Sequence, residues 1–409
     1  MSEAGFSHII QALKHRDFRI FMTGQTLSQI GAWMQRVIVG WYTWELTQSA
    51  TWLGLMSLAD LFPTLFIGSL SGVLADRVNR LTIIHFTQLG SALSVGALCL
   101  MVYANWSSVE LLLVLVFIAG SCIAINLPAR LAIVPGMVGK ENMPSAVAIN
   151  SLVANAGRFI GPAIAGLVIV QWGVGPAFAL CTFFFGFPAL TLFLVKAPKE
   201  DIKPTGNRIL TDIVEGIAYT FRHPGIGPLM ASLIVTSTLG KAIIAMFPAF
   251  SSVIFHRGAD GVAWLTGIVG GGAVIGGLYM ARRAGVKGLT RIFILNVALI
   301  GGCMAAFAAT DIFWLAIAIA AILGAALIIN GISAQTLIQN TVEVQMRGRV
   351  ASLYVMVQRG GQSLGGLILG IGADLIGLRW SAIGAGAVCL GFWLWSLKRS
   401  RSMSTTLER

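Results

Sequence analysis

Apolar stretches long enough to cross a bilayer recur along this whole chain, at 18–45, 51–75, 82–104, 109–136, 145–171 and 176–195, then at 225–253, 262–281, 291–309, 312–337, 350–373 and 380–397. A helix rises ~1.5 Å per residue, so roughly 20 apolar residues match the ~30 Å hydrocarbon core. Lipid offers no partner for backbone N–H and C=O groups, so each such stretch must pair them internally as a helix. The pattern predicts an all-α membrane protein with twelve transmembrane helices. Composition agrees: 56% of the 409 residues are hydrophobic and only 11% charged, whereas about a quarter are charged in soluble domains.

A net charge of +12 would point to nucleic acid in a soluble protein. Here the Lys and Arg residues fall in short gaps between apolar spans, which argues against such a partner. With a cytoplasmic N-terminus, the inner loops and termini collect most of the cations, and only Arg257 and Arg379 lie in outer loops. The positive-inside pattern therefore predicts that both termini are cytoplasmic and that the span count is even. The first 19 residues are polar and basic, without the apolar core of a cleaved signal. Cys99, Cys122, Cys181, Cys303 and Cys389 are widely spaced within apolar segments, as packing residues are. No metal constellation, cofactor motif, phosphate-binding loop or catalytic pairing of carboxylates is present, so an enzyme is not expected.

The spans divide into two sixes, predicting an N-terminal half over 1–195 and a C-terminal half over 225–398, with a cytoplasmic tail over 399–409. Between the halves, residues 196–224 are polar and charged, but Ile209, Ile213, Ile217 and Phe221 recur every four residues. That spacing predicts an amphipathic helix at the membrane surface.

Two patterns tie the halves together. Gly157, Gly161 and Gly166 in span five recur as Gly361, Gly365 and Gly370 in span eleven, 204 residues later (157 to 361). Gly72, Asp76 and Arg77, between spans two and three, recur with the Asp lost as Gly277, Ala281 and Arg282, 205 residues later (72 to 277). The agreement predicts two pseudo-symmetric six-helix halves. The same displacement carries Arg36 in span one onto Lys241 in span seven.

On these residues the chain resembles the major facilitator superfamily over essentially its whole length. Gly72, Asp76, Arg77 and Arg80 match its conformational-switch motif between helices two and three, with Asn79 and Leu81 where the family has Gly and Arg. Gly157, Gly161, Pro162 and Gly166 match the helix-five motif associated with exporters, with Ala165 replacing a Gly. Gly31 to Val37, Leu46 to Ser49, Pro128 to Arg130 and Arg347 to Val350 look like the enterobactin-exporter-like branch, which also holds macrolide efflux proteins. The resemblance implies an alternating-access exporter in a bacterial inner membrane, drawing on the proton gradient and working as a monomer. The helix-four basic motif of drug/proton antiporters is absent near Phe117.

Charges inside spans are costly, at least ~2.5 kcal/mol each at mid-depth, and usually face water or one another. Arg36, Arg130, Arg158, Lys241 and Arg359 are such residues. Arg36, Lys241, Gln35, Arg158, Arg359, Gln358, Asn126 and Gln335 are the candidates for lining a central substrate cavity, where cations suit an anionic ligand. Arg130 and Arg158 also fit gate-supporting and helix-packing roles. Asp60 is the carboxylate placed well inside a span; it fits a proton site, or a static pair with Arg36. Trp33 and Trp41 fit either an aromatic wall or a membrane anchor, while Trp44 is expected to anchor at the interface. The function expected is secondary active export of a small anionic or amphipathic molecule such as a siderophore, with protons as coupling ion and lipid as surroundings. Macrolide or multidrug efflux and lysophospholipid transport are the alternatives within transport, and a non-transporting receptor is the alternative outside it.

Overall fold

The computed structural model describes residues 11–67, 78–139, 141–196, 209–283 and 285–408. Among these residues the chain is helical with no strand. The first group comprises α1 (Arg16–Thr47), α2 (Ala50–Leu61), α3 (Arg80–Tyr103), α4 (Val109–Val138), α5 (Met143–Trp172) and α6 (Val174–Thr191). After the linker helix α7 (Ile209–Arg222) comes an interrupted helix, α8 (Ile226–Ile254). Then follow α9 (Ala259–Arg282), α10 (Leu289–Ala309), α11 (Phe313–Thr341), α12 (Arg347–Ile376) and α13 (Leu378–Leu407).

Ten helical segments among the described residues are both long and apolar enough to cross a membrane. Helices α1 and α12, of 32 and 30 residues, are long enough but more polar. Gln25, Gln29, Gln35 and Arg36 dilute one, and Gln358, Arg359 and Gln362 the other. The two helices that look least like membrane spans are thus two that carry candidate site cations.

Gly173 between α5 and α6 and Gly377 between α12 and α13 both take left-handed backbone angles, φ 88° and 93°. A side chain is strained there, and glycine is not. They stand 204 residues apart (173 to 377), the displacement read from the glycine motifs.

Packing groups the chain into two units, Met1–Tyr42 with Pro63–Gly206, and Thr43–Phe62 with Asn207–Arg409. In the first, Phe18, Phe21 and Met22 of α1 are buried with Ile83 and Ile84 of α3, Ile133 of α4 and Ile149 of α5. In the second, Ile226, Leu229, Met230 and Leu233 of α8 meet Phe293 and Val297 of α10, Leu337 of α11 and Leu407 of α13. The boundary differs from the halves expected from sequence at one place. Helix α2 packs along α12, because a side chain at Gly54 would run into the backbone of Gly366 and Leu367, and one at Gly370 into the backbone of Ala50 and Thr51.

The linker helix is present over Ile209–Arg222. Gly216 and Thr220 are buried, with Gly216 against Arg349 and Glu215 paired with Arg349. Val214, Ile217 and Phe221 are 65%, 40% and 52% exposed. The tail also departs from expectation: α13 continues to Leu407, and Met403 and Leu407 are fully buried. Glu408 then accepts the backbone N–H groups of Gly288 and Thr290, at 2.6 and 2.8 Å, where α10 begins. Trp44 is another correction: it is 5% exposed, so it is a core residue and not an interfacial anchor.

Candidate functional site

Two groups of the candidate residues assemble, one in each packing unit, and glycines place both. In the first unit, a Cβ on Gly157 would lie 3.2 Å from the Gln29 backbone, and one on Gly161 would lie 2.7 Å from Trp33 Cβ. At Gly161 only hydrogen fits and at Gly157 a methyl would be tight, so the α5 backbone lies directly on α1. Arg158, next to Gly157, is thereby delivered to Trp33. Its guanidinium carbon is 5.5 Å from the indole centroid, and that of Arg36, one turn along α1, is 4.7 Å from it.

Two cations thus share one aromatic ring, separated by no more than about 10 Å. Both are half-buried. At an effective dielectric near 20 their repulsion is at least ~1.7 kcal/mol. Two cation–π contacts at ~0.5–1 kcal/mol each return ~1–2 kcal/mol, about the size of that repulsion. An anion between the guanidiniums would add charge-assisted hydrogen bonds of ~1.5–3 kcal/mol each.

The second unit repeats the device with different chemistry. A side chain at Gly365 would collide with Thr238, and one at Gly361 would press tightly on it, so α12 lies directly on α8. That helix is interrupted there, with a π turn over Thr236–Gly240 and a 3₁₀ turn over Ala242–Met246 on either side of Lys241. Trp33 and Thr238 correspond under the repeat, and so do Arg36 and Lys241, each cation lying three residues past the glycine contact. The Lys241 ammonium donates to Gln358 Oε1, which also accepts from Ser237 Oγ at 3.2 Å. Gln358 Nε2 donates to the Tyr354 hydroxyl at 3.2 Å, and that hydroxyl donates to the Gly331 carbonyl at 3.0 Å. The chain of bonds fixes which way the Gln358 amide points and ties α8, α11 and α12 together.

A cavity of about 250 Å³ adjoins this network between α11 and α12, lined by Gln335, Gln339, Arg347 and Tyr354 among others. A larger groove of about 460 Å³ is lined by Leu295, Leu299, Cys303 and Ile319 with neighbouring small residues. That apolar lining suits lipid and not a charged ligand.

The remaining candidates are distributed. Gln35 is 3% exposed with no hydrogen-bond partner for Oε1. It lies one turn beyond Gly31, which packs on Phe184 and Phe185 of α6, and so on a different side of α1 from Trp33 and Arg36. Asn126 donates to Thr87 Oγ1 at 2.8 Å, joining α4 to α3. Asp60 sits on α2 in the second unit. Helices α2 and α12 meet at Ala50 with Gly370 and at Gly54 with Gly366, and that register brings Asp60 to the level of Arg359. Gly72, Asp76 and Arg77 lie outside the described residues. Arg80, the last member of their motif, donates to the Ala132 carbonyl at 3.0 Å. Asn79, which departs from the family pattern, caps α3 by accepting from Leu81 N–H at 2.9 Å and Thr82 N–H at 3.4 Å. Gly161, Pro162 and Gly166 are all buried in α5.

Sequence reasoning did not single out Tyr354 or Ser237. The available signal was their spacing, four residues before Gln358 and four before Lys241, which places each on the face of its partner.

Solved structures of multi-pass transporters share this all-helical fold. An inward-facing, unoccupied bacterial homologue of the human lysosomal transporter Spinster superposes with a TM-score of 0.73 at 16% identity, covering 100% of this chain and 99% of that one. Residues 8–403 match the model of the transmembrane secretion effector family, and the chain belongs to that family of the major facilitator superfamily. It is 24% identical over 390 residues to the staphyloferrin A transporter of Staphylococcus aureus, covering 91% of this chain and 94% of the relative. It is 26% identical over 390 residues to the enterobactin exporter EntS of Salmonella typhi, covering 93% and 92%. Macrolide efflux protein A of Streptococcus pyogenes is 23% identical over 371 residues, covering 88% and 90%. The relatives are transporters and not enzymes, so the protein is a transporter.

Proposed function

We propose that the protein is a secondary active exporter of a small anionic or amphipathic organic molecule, with siderophores the favoured class, in a bacterial inner membrane with both termini cytoplasmic. The observation that carries this reading is the pair of guanidiniums on Trp33. Two guanidiniums stacked on one indole inside membrane helices form a site that an anion complements. Lys241, at the corresponding place in the other unit, supplies a third positive charge presented by the amide of Gln358. The names of two relatives, a staphyloferrin A transporter and an enterobactin exporter, support the siderophore class. Asp60 is the proposed proton-coupling residue, and the exposed Ile217 and Phe221 of α7 lie on lipid.

The test compares small molecules exported by cells with and without the gene, under iron starvation and iron repletion. A siderophore lost from the medium of deleted cells is the expected result. In proteoliposomes, Arg36→Ala and Lys241→Ala should each abolish transport of that anion. Unchanged transport in both variants would sink the anion site.

Macrolide efflux is the second reading, supported by the relative named for it. Lipophilic cations would be repelled by the Trp33 site, so protection of cells against macrolides that is unaffected by Arg36→Ala would favour it. A phosphate headgroup would also use these cations, and accumulation of labelled lysophospholipid in deleted cells distinguishes that case. A receptor that moves nothing would give no protein-dependent flux in vesicles.

A further inference from the structure

Ser49 holds the N-cap position of α2, where a serine ordinarily accepts from N–H groups of its own first turn. It makes no such bond. Its hydroxyl donates to Asp374 Oδ2 at 2.7 Å. The same carboxylate accepts the Ala50 N–H at 2.9 Å through Oδ1 and the Thr51 N–H at 3.0 Å through Oδ2. The first turn of α2 is therefore capped by a side chain from the last turn of α12, and the negative charge sits where the helix dipole favours it. Beneath this cap the two helices touch closely through Gly54, Gly366 and Gly370.

A cap within one helix travels with that helix and stabilises it in every arrangement. A cap supplied by a second helix counts only while the two lie together. We propose that Asp374 is the outer latch of the transport cycle, a positioning residue whose carboxylate holds the start of α2 on α12 and whose release sets how readily α2 lifts away. The proposal rests on the transport reading for the need to open, and on the three hydrogen bonds for the place where opening begins. In the orientation given by the positive-inside pattern, the α1–α2 and α12–α13 connections face outward. Asp374 is exposed, so water takes over the bonds when the latch opens, which keeps the bias small enough for a transporter to cross in each cycle.

The test is labelling of a cysteine placed at Ser57, which faces Gly366 across the helix pair, by a membrane-impermeant maleimide added outside intact cells. The full-length chain without that cysteine provides the background for its five native thiols. Asp374→Ala should speed labelling about fivefold, the typical effect of losing a helix cap. Asp374→Asn keeps one acceptor oxygen and should fall between, Ser49→Ala removes one of three bonds and should give a smaller rise, and Asp374→Glu should restore slow labelling. Hydrogen exchange of the purified variants in nanodiscs should rise over 49–58 and stay unchanged over 289–309. Labelling in Asp374→Ala at the original rate overturns the latch, as does an exchange increase spread equally over both segments. Should Asp374→Ala not accumulate, Asp374→Asn and Ser49→Ala carry the same comparison. Faster labelling in a protein that supports no flux would leave the latch standing and remove the transport reading.

Discussion

Replacing Gly365 by alanine adds one methyl where α12 crosses α8. That methyl would overlap the carbonyl of Thr238 and stand 3.0 Å from the Ala242 side chain. Thr238 contributes backbone there, so no rotamer change clears the space, and α12 must move away from the interruption in α8. Overpacking a well-packed core by one methylene costs ~1–3 kcal/mol, and a collision with backbone belongs at the upper end. The same exchange at Gly384, where an added Cβ meets nothing within 4 Å at an exposed position of α13, removes only the helix penalty of glycine and gains ~1 kcal/mol. One chemical change thus has opposite signs, separated by about 4 kcal/mol. Unfolding of the purified variants by titration with SDS, followed by tryptophan fluorescence, measures the difference. Displacing α12 should also separate Gln358 from Lys241, so Gly365→Ala should lose transport while Gly384→Ala keeps it. A Gly365→Ala protein as stable as Gly384→Ala would refute the close crossing and, with it, the placement of the Lys241 group.

Arg158→Gln removes at least ~1.7 kcal/mol of repulsion from Arg36 against ~0.5–1 kcal/mol of lost cation–π contact. The empty protein should therefore become slightly more stable, while affinity for the exported anion falls about 10- to 100-fold; thermal unfolding and calorimetry read the two separately. Asp60→Asn should abolish the dependence of transport on an imposed pH gradient, and intact proton dependence would remove Asp60 from the coupling. Burial raises the Glu408 carboxyl, but hydrogen bonds from Gly288 and Thr290, with Arg283 nearby, more than reverse this and hold it below its ordinary value. Its contribution is therefore present above the unfolded pKa near ~4.3 and is lost as pH falls through the lower folded value. Solvent screening keeps it under about 1 kcal/mol, and Glu408→Gln should flatten that part of the acid stability curve.

The helical class was legible because lipid leaves an apolar chain no alternative, and the repeat was legible because glycines mark contacts that tolerate no side chain. Gly157 with Gly161 and Gly361 with Gly365 sit where their spacing implies, each pair against the first helix of its six. The site was legible in part. A charge within a span signals function, so Arg36, Arg158 and Lys241 stand out in the sequence, but their partners depend on which faces meet. Gln35 is as polar as Gln358 and adjoins Arg36, yet α1 turns it away from Trp33, while Gln358 meets Lys241. Met403 and Leu407 look like parts of a polar tail because two apolar residues one turn apart carry little signal until a core is there to receive them.

By itself, the sequence determined that this chain crosses a membrane as two related sets of helices and places cations inside them, since hydrophobicity and backbone hydrogen bonding act locally and repeat with the chain. Only the tertiary structure decided that Arg36 and Arg158 share one indole, that Lys241 is held by Gln358, and that Asp374 caps a helix more than 300 residues away. Such pairings depend on the register in which helices cross, and that register is set by small residues on both partners at once.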